Sequence, residues 1–253
     1  MNDHHAPTPA PSGRRDRRAV RRGGVALVLG AALVTAAGCS SVVAGPTTTQ
    51  ERDVEGVRAV DLRTSGTLTI ELGEAPSLTV TARENVIDEL TSEVDDGTLV
   101  LGREGGPRWG TPGRIEYTLV VTELEALAVR GSGDVEADDV AGERLSVTVE
   151  GSGDVVVEAV EVGTLDAQVA GSGGLTLAGR ADAQNVVVEG SGSYDGGDLE
   201  TREAVIAVRG SGGADVHVTR RLDVQVDGSG SVRHTGGAEV TSDVDGSGDV
   251  VGY

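Results

Sequence analysis

Three kinds of side chain in this 253-residue sequence sit where they could support chemistry: two aspartates twenty residues apart, two histidines seventeen apart, and a lone cysteine. Asp134 and Asp154 each follow a Gly-Ser-Gly triplet. On a chain that coils once per triplet they would stand one above the other, close enough to share a divalent cation or else to face solvent as a screened acidic surface. They are the metal candidates, against a simple objection: one carboxylate per turn is a sparse ligand set, and a calcium-binding roll repeats every nine residues or so, not every twenty. His217 and His234 fall seven and six residues after their preceding triplets begin, so they do not share a row. The single cysteine, Cys39, lies far upstream. Neither a zinc site nor a nucleophile–base pair is implied, no catalytic residue is assigned, and no cofactor is expected. Trp109 sits in a loop with Gly and Pro, placed either to touch a ligand or to cap a core.

The elements that must position these groups are set by the triplet itself. Gly-Ser-Gly begins at Gly131, Gly151, Gly171, Gly190, Gly210, Gly228 and Gly246, at intervals of 20, 20, 19, 20, 18 and 18 residues. Two residues before each triplet stands a valine: Val129, Val149, Val169, Val188, Val208, Val226 and Val244. Four before are Leu127, Val147, Ala167, Val186, Ile206, Val224 and Ser242, and four after each first glycine come Val135, Val155, Leu175, Tyr194, Ala214, Val232 and Val250. Polar residues lie between these rows, an alternation of period two that belongs to strands with one buried face. A repeat of this length cannot bury its apolar face alone, so the windings must stack and pair with those above and below. The prediction is an all-β fold: a right-handed, single-stranded parallel β-helix with about 18–20 residues per turn.

Carrying the alternation through the corner places both glycines inward and the serine outward. Ser132, Ser152, Ser172, Ser191, Ser211, Ser229 and Ser247 therefore read as a turn ladder more than as a binding row. The residue just before each triplet runs Arg130, Glu150, Ala170, Glu189, Arg209, Asp227, Asp245, a column of partly alternating sign. Stacked pairs of that kind hold register at a few tenths of a kcal/mol each, about the value of exposed ion pairs. Ahead of the regular repeats, strands are expected over Val57–Arg63, Thr67–Leu72, Ser77–Arg83, Thr98–Gly102 and Ile115–Val121, with Asp95-Asp96-Gly97 as a turn and a short helical turn within Asn85–Leu90.

Residues 1–38 have the layout of an export signal. Six arginines between Arg14 and Arg22 precede a thirteen-residue apolar stretch, Val25–Ala37, too short to span a bilayer comfortably. Ala36-Ala37-Gly38-Cys39 then resembles a bacterial lipobox, which implies a diacylated Cys39 as the new N-terminus and a membrane partner reached through that lipid. Residues 39–55 form the tether, 56–122 the β-rich opening turns and cap, and 123–253 the regular helix. Without the leader the chain keeps 15 arginines and 39 acids, a net charge of −24, with no lysine. Such a surface repels nucleic acid.

The lipobox, the opening Val57-Arg58-Ala59-Val60-Asp61-Leu62 with Gly66-Thr67-Leu68-Thr69-Ile70, and the iterated Gly-Ser-Gly-Asp-Val together resemble the head GIN domain family of auto-transporter adhesins over roughly Val57–Tyr253. The Asp is present at Gly131–Asp134, Gly151–Asp154 and Gly246–Asp249, and is replaced by Gly174, Ser193, Gly213 and Ser231 elsewhere. The resemblance implies a right-handed β-helical surface domain. Together with the leader it leads to the expectation of an extracytoplasmic, lipid-anchored protein with a non-enzymatic binding, adhesion or envelope-structural role toward a glycan or protein ligand. The alternative is a carbohydrate-active β-helix enzyme acting on an envelope or extracellular polysaccharide. Aromatic sugar platforms and long loops, which such enzymes use, are missing from these short turns.

Overall fold

The valines that precede each triplet are fully buried from Val129 through Val226, and only Val244 in the last winding is open, at 39 % exposure. The rows four before and four after are equally interior, from Leu127 and Val135 down to Val224 and Val232. Each such side chain contributes about 1.5–3 kcal/mol by leaving water. The computed structural model describes residues 45–105 and 113–253. Cys39, Trp109 and the leader lie outside the described residues.

The elements in chain order are β1 (Thr47–Arg52), β2 (Ala59–Leu62), β3 (Thr67–Leu72), β4 (Ser77–Arg83), α1 (Glu84–Ile87), β5 (Leu90–Asp95), β6 (Thr98–Arg103), β7 (Glu116–Val121) and β8 (Ala126–Gly131). Then follow β9 (Asp134–Gly151), β10 (Asp154–Gly171), β11 (Gly174–Gly190), β12 (Ser193–Gly210), β13 (Gly213–Gly228), β14 (Ser231–Thr235), β15 (Glu239–Gly246) and β16 (Asp249–Gly252). From β8 onward the chain is a parallel β-solenoid of about six turns. Each winding pairs in register with the next, for example Val169 beside Val188 and Val149 beside Val169.

The Gly-Ser-Gly corner departs from simple alternation. The first glycine takes a positive φ, between 104° and 153° across the seven triplets, which an L side chain rarely adopts. It stands at the rim, not inside, so the expectation that both glycines point inward holds only for the second. That second glycine is buried because its neighbour's backbone occupies the space: a Cβ on Gly153 would lie 2.0 Å from the Gly133 carbonyl oxygen, and on Gly173, 2.2 Å from that of Gly153. The serines between them are exposed. Their amides close the ladder, Ser152 N–H to the Gly131 carbonyl at 2.9 Å and Ser172 N–H to Gly151 at 2.8 Å.

Before β8 the chain does not wind in sequence order. β2 pairs in parallel with both β6 and β8, and β3 with both β7 and β9. The winding made of β2 and β3 is therefore inserted between the later β6–β7 winding and the regular coil. Antiparallel strands close this end: β4 on β7, β5 on β6, and β1 on β4. Thr47–Arg52, expected inside the tether, is a strand. The β5–β6 hairpin turns through Asp96 and Gly97, both at positive φ, as the Asp-Gly pair requires.

Candidate functional site

Asp134 and Asp154 do stack, and each has a structural partner. The Asp154 N–H donates to Asp134 Oδ1 at 3.1 Å, and the Gly174 N–H donates to Asp154 Oδ1 at 2.8 Å. Where the aspartate is replaced, the same amide turns to a glycine carbonyl: Ser193 to Gly173 at 3.1 Å, Gly213 to Gly192 and Ser231 to Gly212, both at 3.2 Å. The carboxylate thus holds the next winding's first amide at the corner. No cluster of three or more His, Cys, Asp or Glu placed to hold a metal ion exists among the described residues. His217 and His234 are not stacked; His217 pairs with Thr235, and His234 lies beside Val216.

The predicted charge column forms in part. Arg130 meets Glu150 at 3.5 Å and Arg209 meets Glu189 at 2.9 Å. Asp227 instead accepts from Gln225. At its upper end the column gains a buried member that its spacing did not reveal, Asp61, whose Oδ2 accepts from Arg63 at 2.6 Å and pairs with Arg130 at 3.4 Å.

A concave surface lies at the opposite corner. The repeat intervals vary by one or two residues, and the variation is absorbed here: register slips occur between Val157 and Val160, between Thr176 and Gly179, and between Gly196 and Glu200. The Gly-Ser-Gly corner stays in step throughout. Inserting or deleting a residue in one strand bends it away from its neighbour, and the successive bends open a groove of about 610 Å³ across four windings. Its floor is Val162, Ala181 and Thr201, all buried. Glu161, Arg180 and Glu200 form one bank, Asp182 and Arg202 the other. Arg202 approaches Asp182 at 3.2 Å and Arg180 approaches Glu200 at 3.8 Å.

Beneath this floor the tube holds a polar relay. Tyr194 Oη donates to Gln184 Oε1 at 2.7 Å, Gln184 Nε2 to Thr201 Oγ1 at 2.8 Å, and Thr201 Oγ1 to the His217 carbonyl at 3.0 Å. Every donor ends on an acceptor, as buried polar groups require. Burial pushes the Tyr194 phenol well above its ordinary range. Gly196 makes the room, since a Cβ there would lie 2.6 Å from Tyr194 Oη. The relay braces the kinked corner, so the groove has a fixed floor with donors and acceptors alternating along its banks. It suits an extended polar chain lying along the coil.

Comparison with known proteins gives a consistent picture. A family model described as "Putative auto-transporter adhesin, head GIN domain" matches residues 58–238. No curated protein matches the chain. A solved structure titled a putative adhesin, from Bacteroides fragilis, superposes with a TM-score of 0.79 at 21 % identity, covering 82 % of this chain and 97 % of its own. A "putative lipid binding protein" from Parabacteroides distasonis gives 0.67 at 24 %, covering 83 % of this chain and 97 % of its own. A putative adhesin from Parabacteroides merdae gives 0.67 at 20 %, covering 83 % and 97 %. At these identities the likeness is one of fold.

Proposed function

This chain belongs to the head GIN domain family, and from that premise we propose that it is a non-enzymatic binding module displayed outside the cell and anchored by lipid on Cys39. The groove over Val162, Ala181 and Thr201 carries the reading. A solenoid locked by backbone stacking offers little internal motion, so its ligand meets a preformed row of hydrogen-bonding groups and little ordering entropy is lost on binding. Asp182 and Glu200 in the groove are paired with arginines, which suits them to hold hydroxyls or amides of a glycan or peptide chain. No nucleophile with a neighbouring base stands on its banks.

Two experiments test the two halves of this reading. Incubating the full-length protein with glycan and cell-wall fragments is expected to give saturable retention without new products. Charge reversal at Arg180→Glu together with Arg202→Glu should weaken that retention at least about tenfold, roughly 1.4 kcal/mol. Turnover of the fragments would instead make it an enzyme, and neither turnover nor retention would leave a spacer. In cells, Cys39→Ser is expected to release the protein from the membrane fraction, because attachment depends on the acyl chains; unchanged retention there would remove the lipid anchor.

A further inference from the structure

Among the described residues, the winding of β15 and β16 has one edge of its backbone unpaired. β15 pairs with β13 and β16 with β14, each along one edge only among the described residues. Its inward valines are the continuation of the core columns. Val240 and Val244 are 36 % and 39 % exposed, whereas Leu222 and Val226 directly beneath them are fully covered. At its corner Gly246 repeats the positive φ of every earlier triplet, whose first glycine carbonyl receives an amide of the following winding, as Gly228 receives Ser247 at 2.8 Å, and Asp249 stands at the position where Asp134 and Asp154 hold the next winding's amide.

The outward row decides what can dock there. Glu239, Asp243, Asp245 and Asp249 are all exposed, and no arginine or lysine lies between His234 and Tyr253. Lower in the coil, adjacent windings set opposite charges against each other, as in Arg209 on Glu189 and Arg233 on Asp215. A second copy would bring the same four acids to this edge and be repelled, the usual way an exposed strand is kept from pairing with itself.

We propose that this edge binds an extended, basic segment of a protein partner by strand addition, parallel to β15, with alternating apolar residues over Val240 and Val244, basic residues over Asp243 and Asp245, and a Gly-x-Gly over Gly246 and Gly248. Main-chain hydrogen bonds supply the attachment and the alternate side chains the selectivity. The glycine requirement is steric: in every earlier winding a Cβ at either triplet glycine from Gly151 onward would fall within 2.0–2.7 Å of the glycine carbonyl below, and a residue over Gly246 meets the same wall. The surface is separate from the lateral groove and does not depend on what that groove binds.

The test uses the full chain and a fluorescent synthetic peptide, Val-Arg-Val-Arg-Val-Arg-Gly-Ser-Gly, whose first residue falls over Val240, followed by anisotropy at about 0.15 M salt, where exposed charges are screened beyond roughly 8 Å. Saturable one-to-one binding is expected. It should fall at least tenfold when both peptide glycines become alanine, when the arginines become glutamates, and in the Asp243→Arg, Asp245→Arg protein, whose exposed substitutions leave the fold intact. Arg180→Glu in the groove should change nothing. Equal binding of a scrambled basic peptide, no binding at all, or end-to-end self-association of the protein through this winding would each overturn the proposal.

Discussion

Replacing Gly153 by alanine sets a methyl 2.0 Å from the Gly133 carbonyl oxygen. That oxygen belongs to a backbone stacked on both sides, so relief requires shifting a winding and not turning a side chain. Destabilisation of about 3 kcal/mol is expected for Gly153→Ala, read as a drop in the urea midpoint. Ser152→Ala, one residue away on the exposed face, should stay within about 0.5 kcal/mol. The contrast is half legible in the sequence: seven identical triplets announce a corner, and alternation places the serine outside. Alternation alone cannot show that the first glycine breaks the pattern through positive φ, because a dihedral sign leaves no trace in residue type beyond the glycine itself. The relay is hidden more completely, since Tyr194 fits an apolar row and Gln184 lies outside all three of those rows. Gln184→Ala strands the Tyr194 hydroxyl and is expected to cost about 2–4 kcal/mol. Burial raises the pKa of both Tyr194 and Tyr117, so the folded state keeps their protons where the unfolded chain loses them. Their contribution is fully present below the ordinary phenol value near 10 and is lost as pH rises above it. Urea midpoints should fall as pH rises from about 10, and Tyr194→Phe should flatten that fall; an unchanged slope would show that Tyr194 ionises freely in the folded state.

At the scale of elements, the strands are easier to find than their order. Thr67–Leu72 and Ser77–Arg83 are readable to the residue, because each alternates apolar and polar side chains. The insertion of the β2–β3 winding between β6–β7 and β8–β9 is a long-range pairing choice, and local periodicity carries no information about which strand a given edge will meet. β1 escapes for a different reason. Its sequence Thr-Thr-Thr-Gln-Glu-Arg has no apolar residue, and it is held by backbone pairing with β4 and by Arg52. That guanidinium donates to the carbonyls of Ile87 at 3.1 Å and Leu90 at 2.7 Å and to Ser92 Oγ at 2.7 Å, tying β1 to the segment after α1. Arg52→Ala is expected to remove about 2 kcal/mol from this cap. Amides of β1 and β4 should then exchange faster while those of β10 keep their rates; equal acceleration throughout would mean that the cap and coil open as one unit. The groove is written in the sequence as the uneven triplet intervals, which are visible without showing the corner that absorbs them.

The two ends of the solenoid differ, and in a stack where each winding touches only its neighbours that difference controls how the molecule opens. At one end the β2–β3 winding is enclosed on both sides, and antiparallel strands close the tube beyond it. At the other, the β15–β16 winding rests on one neighbour among the described residues, its β15 residues are exposed throughout, and it carries acids without an arginine or lysine to offset them. Opening from this end sacrifices the pairing of one winding at a time, whereas opening from the capped end must first undo the antiparallel strands and the β6–β7 winding that cover the inserted one. Native-state hydrogen exchange should therefore show a gradient: amides of β15 and β16 open at the lowest free energy, those of β13 next, and those of β3, β9 and β10 only with global unfolding. Raising the salt concentration should narrow the gap at the open end, because screening relieves the repulsion between Asp227, paired beside Asp245, and its neighbours. Equal protection from β3 to β16 would mean that the coil melts in a single step and that the end contacts are as strong as those in the middle.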